Sequence, residues 1–68
     1  MNADLKEIEK IQDIIKSLTD IIKENKTDIA DNLHTSYAQY KIRENTNLEF
    51  ATIYLTTIMD NIMLCYSE

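Results

Sequence analysis

Residues 48–66, LEFATIYLTTIMDNIMLCY, form the most apolar stretch of the chain and decide which fold it can adopt. Thirteen of these nineteen residues are apolar or aromatic, and only Glu49 and Asp60 are charged. One ridge has the alternating three-and-four spacing of a helix that packs on another helix. This ridge consists of Leu48, Ala51, Leu55, Ile58, Ile62 and Cys65. The other apolar residues flank the ridge, so the helix has more apolar surface than one neighbouring helix can cover.

The surplus apolar residues predict a surface that binds another protein. Aromatic residues and methionines are enriched where proteins meet, and methionine adapts to irregular grooves. Two tyrosines upstream of the apolar stretch belong to the same class. The predicted partner interface comprises Tyr37, Tyr40, Phe50, Ile53, Tyr54, Met59, Met63 and Tyr66. The alternative is that several of these side chains simply close over the first half of the chain.

The first thirty residues predict a helix with a single apolar stripe. The stripe has the same three-and-four spacing and consists of Ile8, Ile11, Ile15, Leu18, Ile22 and Ile29. Asn25 stands where an apolar residue is expected. A lone Asn in such a stripe can fix the register between two helices. It can also mark local fraying, and the polar run over residues 24–28 favours this second interpretation.

Residues 31–35, DNLHT, are the best candidate for a turn. Asp and Asn side chains bond nearby backbone groups, and Asn tolerates left-handed geometry where glycine is missing. Ser36 followed by Gln39 resembles a capping box that starts a second helix. We expect this helix to be continuous. The alternative is a kink near residues 44–47, where Thr46 and Glu49 form a second possible capping box. The predicted fold is all-α: a single-domain, coiled-coil-like antiparallel hairpin over residues 1–68, with helices at about 3–30 and 37–66.

Composition limits the function as well as the fold. The 68 residues include no Gly, no Pro and one Cys, so neither a glycine-rich phosphate loop nor an internal disulfide is available. A chain of this size is only marginally stable alone, which favours association with another chain, including self-association. The net charge of −5 argues against nucleic acid and anionic membranes as partners.

Neither membrane insertion nor export is predicted. Glu49, Asp60, Asn61 and three threonines interrupt the apolar stretch, which argues against stable insertion. The polar residues 1–10 do not resemble a secretory leader. A free thiol is typical of a reducing compartment. The predicted location is the cytoplasm.

Nothing in the chain predicts an enzyme. His34, the single histidine, falls in the expected turn and is interpreted as solvated. Cys65 falls on the apolar ridge and is interpreted as a buried, unreactive thiol. The carboxylates are scattered on helix surfaces with lysines between them, as on a solvated helix face. No catalytic, cofactor-binding or metal-binding residue is therefore assigned.

The chain resembles a known family of small co-chaperones. The features shared with it are an amphipathic helix from Leu5 to about Ala30, a polar break, the pair Gln39-Tyr40, and a helix with Leu48-Glu49 and several later isoleucines. These features resemble the YscE/PscE/SsaE co-chaperones of the type III secretion needle subunit, most of all those of attaching-and-effacing enteric bacteria. Many members have glycine in the break, where this chain has DNLHT.

The resemblance implies a cytoplasmic role connected with virulence. It implies that the hairpin binds a tetratricopeptide-like (TPR-like) co-chaperone, and that the pair keeps the needle subunit monomeric before export. Two alternatives stay open. One is a homo-oligomeric helical bundle with a structural or regulatory role, such as an inhibitor. The other is the needle subunit itself, which commonly turns through a proline-containing loop.

Overall fold

The chain folds into two antiparallel helices joined by a short turn. The structure is a computed structural model that describes the backbone of residues 2–67 and the side chains of residues 5–65. Helix α1 spans Asn2–Asp31 and helix α2 spans Ser36–Ser67. The hairpin measures 51 × 14 × 11 Å, so its long axis is close to the length of one helix. The predicted all-α hairpin is confirmed.

Helix α2 runs through residues 44–47 without a break. Thr46, which with Glu49 offered a second helix start, lies inside the helix instead. Its hydroxyl donates to the main-chain carbonyl of Ile42 at 3.2 Å, one turn earlier. The continuous second helix is therefore confirmed.

The turn lies at residues 32–35, within the predicted DNLHT, but its cap and its left-handed residue differ from those predicted. Thr35, not Ser36, caps α2: its Oγ1 accepts the amide of Ala38 at 3.0 Å, and its carbonyl accepts the amide of Gln39 at 3.2 Å. The left-handed residue is His34, with φ 66°, and not an asparagine. Asn32 instead donates from its side chain to the carbonyl of Asp28 at 2.8 Å, in the last turn of α1.

The apolar stripe of α1 packs as predicted. Ile11 and Ile22 are buried, and the other four predicted residues, Ile8, Ile15, Leu18 and Ile29, are half-buried. Polar side chains on the remaining positions of the helix are mostly exposed. Helix α1 is therefore amphipathic, with one face toward α2.

The buried side of α2 follows a stricter repeat than the predicted ridge. Leu48, Ala51, Leu55 and Ile62 are half-buried as expected, but Ile58 and Cys65 are exposed, so their assignment to the ridge was wrong. The positions that recur every three and four residues are Ala38, Lys41, Asn45, Leu48, Thr52, Leu55, Met59 and Ile62, all buried or half-buried.

The predicted ridge and the observed repeat separate at Thr52. Thr52 is half-buried in the seam, and its hydroxyl keeps a hydrogen bond there by donating to the carbonyl of Glu49 at 2.7 Å. The hydrophobic pattern alone had favoured its apolar neighbour Ala51. From Thr52 onward the seam therefore continues through Met59 rather than Ile58.

Candidate partner-binding surface

Helix α2 carries a second apolar surface on the side away from α1. Phe50, Ile53, Tyr54 and Leu64 are 53–67% exposed, and we call these four residues the outer face. At about 100° per residue, they fall within an arc of about 100° that lies opposite the seam positions. Monomeric proteins rarely leave a contiguous apolar patch uncovered without a functional reason. The outer face is the candidate binding surface.

Thr57 and Asn61 lie between these apolar residues on the same side of the helix. The hydroxyl of Thr57 already donates to the carbonyl of Ile53 at 3.0 Å, so that hydrogen bond is satisfied within α2. With these two positions included, the outer face has the spacing of three, four and seven residues with which one helix packs on another. Its length from Phe50 to Leu64 is about four helical turns.

The eight residues of the predicted partner interface do not form one surface. Phe50, Ile53 and Tyr54 share the outer face, and Met63 is exposed on a flank nearer the seam. Met59 is half-buried in the seam, so its placement on an uncovered flank was wrong. The side chain of Tyr66 lies outside the described part of the chain.

Tyr37 and Tyr40 are exposed but belong to a cluster beside the turn. The Tyr37 hydroxyl donates to Asp28 Oδ2 at 3.2 Å and so joins the two helices. The Nζ of Lys41 lies 5.5 Å from the Tyr37 ring centroid and 5.8 Å from that of Tyr40, within cation–π range. These two tyrosines therefore have contacts within the hairpin that the outer face lacks.

Sequence reasoning missed some exposed apolar residues. Leu64 was left out of the interface, Ile58 was assigned to the ridge, and Ile42 was not considered. The pairing of Asn25 with Asn45 would have corrected the assignment of Ile58. With those two asparagines set opposite each other, the three-and-four repeat passes through Met59 and leaves Ile58 outside the seam.

Asn25 and Asn45 form a buried polar layer across the seam. Asn25 is 2% exposed and Asn45 7%. The Nδ2 of Asn25 donates to Asn45 Oδ1 at 2.8 Å and to Glu44 Oε1 at 2.9 Å, and Asn45 Nδ2 donates to the carbonyl of Ile22 at 3.2 Å. The fraying interpretation of Asn25 was wrong, because the amide is buried and bonded across the helices. Fixing the helix register is the interpretation that fits this geometry.

Glu44 accepts one of these hydrogen bonds and stays ionised more readily as a result. The bond from the Asn25 amide is the main cause that lowers the pKa of Glu44, followed by the Tyr40 hydroxyl and, more weakly, the charge of Lys41. Lys41 Nζ lies 3.9 Å from Glu44 Oε1. Within residues 5–65, every buried side-chain nitrogen or oxygen has a hydrogen-bond partner. The polar layer is therefore fully satisfied.

The charges along the second half of α2 are all negative. Residues 44–65 include Glu44, Glu49 and Asp60 but no Lys, Arg or His. Glu49 and Asp60 are eleven residues apart, about three helical turns, so both lie along the same edge of the outer face. Among the side chains that the structure describes, Lys41 and Glu44 form the single ion pair. No described basic side chain therefore neutralises Glu49 or Asp60.

The single histidine and the single cysteine both lie at the surface of the hairpin. His34 is exposed in the turn, as predicted. Cys65 is exposed, so its interpretation as a buried thiol was wrong. Within residues 5–65, no group of three His, Cys, Asp or Glu side chains is arranged to hold a metal ion. The arrangement supports binding through apolar surface.

Helix α2 also satisfies the length and composition of a membrane span. It is the one helix of the described chain that does, and none of its most apolar eighteen residues is fully buried. Core helices of soluble proteins meet the same criteria of length and composition. A lipid bilayer is therefore a second way to cover the outer face, and the absence of membrane insertion stays a prediction.

Comparisons of the chain with protein-family models, with curated proteins and with solved structures found no match in any of the three.

Proposed function

We propose that this chain is a cytoplasmic co-chaperone that pairs with a TPR-like chaperone to keep the needle subunit of a type III secretion system monomeric before export. The observation that carries the proposal is the outer face, where four apolar side chains stay 53–67% exposed although α1 is present. The likeness to the YscE/PscE/SsaE family supplies the identity of the partner. The use of the outer face and the identity of the partner are both part of the proposal.

Covering the outer face with a partner is favourable in free energy. A fully buried Phe, Ile, Tyr or Leu side chain gains about 1.5–3 kcal/mol relative to full exposure. Phe50, Ile53, Tyr54 and Leu64 are already partly covered, so each has roughly half to two-thirds of that gain left. The total is comparable with the stability of a small domain, about 3–10 kcal/mol for a chain of this length. A partner would therefore stabilise the hairpin strongly.

A needle subunit assembles through exposed apolar helices, so its storage as a monomer requires that those helices be covered. In the proposed complex the TPR-like chaperone covers the needle subunit, and this hairpin braces the chaperone through the outer face. The alternative use of the same surface is self-association into a homo-oligomeric bundle. The two functions predict different partners for one face.

Co-purification of the tagged chain from its native host, read by mass spectrometry, tests the proposal. The expected result is recovery of a helical-repeat protein together with a needle subunit. Recovery of the chain alone, as a discrete homo-oligomer by light scattering, would reject the proposal in favour of the bundle. A monomer with high thermal stability that does not depend on concentration would count against both.

A further inference from the structure

We infer that the outer face docks one amphipathic helix of a different protein, and that this helix carries lysine or arginine along the border that meets Glu49 and Asp60. The inference rests on the proposed function for the existence of a partner and adds the chemistry that selects it. The shape of the face fits a helix. Phe50, Ile53, Tyr54 and Leu64, with Thr57 and Asn61 between them, follow a strip about 100° wide and about four turns long, which fits the apolar stripe of one helix.

The charges decide the partner's chemistry. Glu49 and Asp60 follow one edge of the strip at a separation of about 16 Å, and no described basic side chain is paired with them. Docking an apolar helix would partly desolvate both carboxylates, which is unfavourable unless a positive charge lies opposite. Basic residues about three turns apart on the partner helix would meet both. A partner with acidic residues there would be repelled.

The same charges argue against a second copy of this chain as the occupant. A second outer face would bring its own Glu49 and Asp60, and residues 44–65 contain no basic residue to oppose them. The exposed side of α1 carries lysines, but its exposed apolar side chains, Leu5, Ile14 and Ile21, are too few and too far apart to cover the outer face. A helix of a different protein can carry both the basic residues and the apolar stripe.

Two synthetic peptides test the inference against the full chain. Each is an amphipathic helix of about 20 residues, long enough to be helical in water when rich in alanine and leucine. One has lysines along one border of its leucine stripe, and the other has glutamates at the same positions. Affinity is measured by calorimetry at low and at physiological salt, with wild type, E49Q/D60N and the control D13N/D20N. Asp13 and Asp20 are exposed on α1, so the control removes the same charge elsewhere.

We expect the lysine peptide to bind at least about tenfold more tightly than the glutamate peptide at low salt, with the difference shrinking as salt rises. E49Q/D60N should weaken lysine-peptide binding about three- to tenfold, as for two exposed ion pairs, and D13N/D20N should leave it unchanged. Both variants should unfold at nearly the wild-type temperature, because neither pair of side chains is buried.

Several results would overturn the inference. Equal affinity for the two peptides, or equal weakening by the two charge variants, would remove the role of Glu49 and Asp60 while leaving apolar docking and the proposed function intact. Binding of neither peptide would reject a helix as the occupant. Dimerisation of the chain through Tyr54 would assign the outer face to a second copy. Binding of the chain to phosphatidylcholine vesicles would assign it to a membrane. Either result would also count against the proposed function.

Discussion

The two ends of the hairpin are built differently. Near the turn, Ile22, Asn25, Ala38 and Asn45 are all buried, and hydrogen bonds cross from one helix to the other. Farther from the turn, Ile11 is the one described residue that is buried, at 8% exposure, whereas apolar side chains accumulate on the outside of α2. The turn-proximal half holds the helices in register, and the turn-distal half has apolar surface to spare.

The difference shows how a chain of 68 residues can both fold and bind. Polar residues inside the seam specify one alignment of the helices at some cost in stability. Apolar residues outside the seam cannot stabilise the hairpin by themselves, and they become useful when another molecule covers them. Fold specification and partner binding are therefore separated along the length of the molecule.

The largest effect should come from the turn-proximal seam. Ile22→Ala removes a side chain that is 8% exposed, and we expect it to cost about 2–4 kcal/mol of the free energy of unfolding. Ile21→Ala removes the same atoms at a position that is 37% exposed, and it should cost less than about 1 kcal/mol. Chemical denaturation followed by circular dichroism gives both values. Equal costs for the two variants would show that the seam is misplaced.

The next effect concerns the polar layer. Asn25→Ala leaves the buried Asn45 Oδ1 without its donor and removes one of the donors to Glu44, at a cost of about 1–3 kcal/mol. Replacing both asparagines by leucine should restore stability, because the layer then becomes apolar, but it should permit other registers or oligomers. Thermal unfolding measures the first effect and light scattering the second. A double variant that stays strictly monomeric would refute the register role.

A smaller effect tests how the turn joins the two halves. Thr35→Ala removes the cap of α2 and should cost about 1 kcal/mol. Ser36→Ala, one position later, should change stability by less than about 0.5 kcal/mol, as for an ordinary surface site. If Ser36→Ala proved the more costly in thermal denaturation, Ser36 would be the cap that the sequence had suggested.

The smallest effect is the pH dependence of the polar layer. The folded pKa of Glu44 is lower than its usual 4.5, so its contribution to stability is present above that pH and is lost as the pH falls toward the folded value. Glu44→Gln removes this titration. Denaturation curves of the two proteins should therefore differ more at neutral pH than in acid below pH 4.5. A pH-independent difference would mean that the Asn25 bond does not favour the ionised form.

Much of the fold could be predicted because α1 has a clear hydrophobic pattern and no Gly or Pro interrupts either helix. The stripe of α1 was read correctly at all six residues, since most of the positions between them are polar. Helix α2 is apolar on several sides, so the pattern fitted more than one ridge, and Ile58 and Cys65 were placed in the seam. Only a long-range contact, Asn25 with Asn45, fixes which ridge is buried.

The candidate site could be predicted only in part, for the same reason. Phe50, Ile53 and Tyr54 were identified from their residue types and lie together on the outer face. Met59 has the same character but is half-buried in the seam, and residue type alone cannot separate the two cases. The cap at Thr35 and the left-handed His34 were missed because several residues in DNLHT suit those positions equally well.

The central claim is that the outer face of α2, and not the hairpin's apolar surface in general, binds the partner. Phe50→Ser/Tyr54→Ser removes two outer-face anchors, and Leu5→Ser/Ile14→Ser removes two comparably exposed apolar side chains from α1. The most direct measurement is the amount of partner that each tagged variant retains on co-purification from the native host, with the unfolding temperature as a control. The account predicts that the α2 variant loses the partner and that the α1 variant keeps it, both remaining folded. Retention by the α2 variant, or equal loss from both, would contradict it.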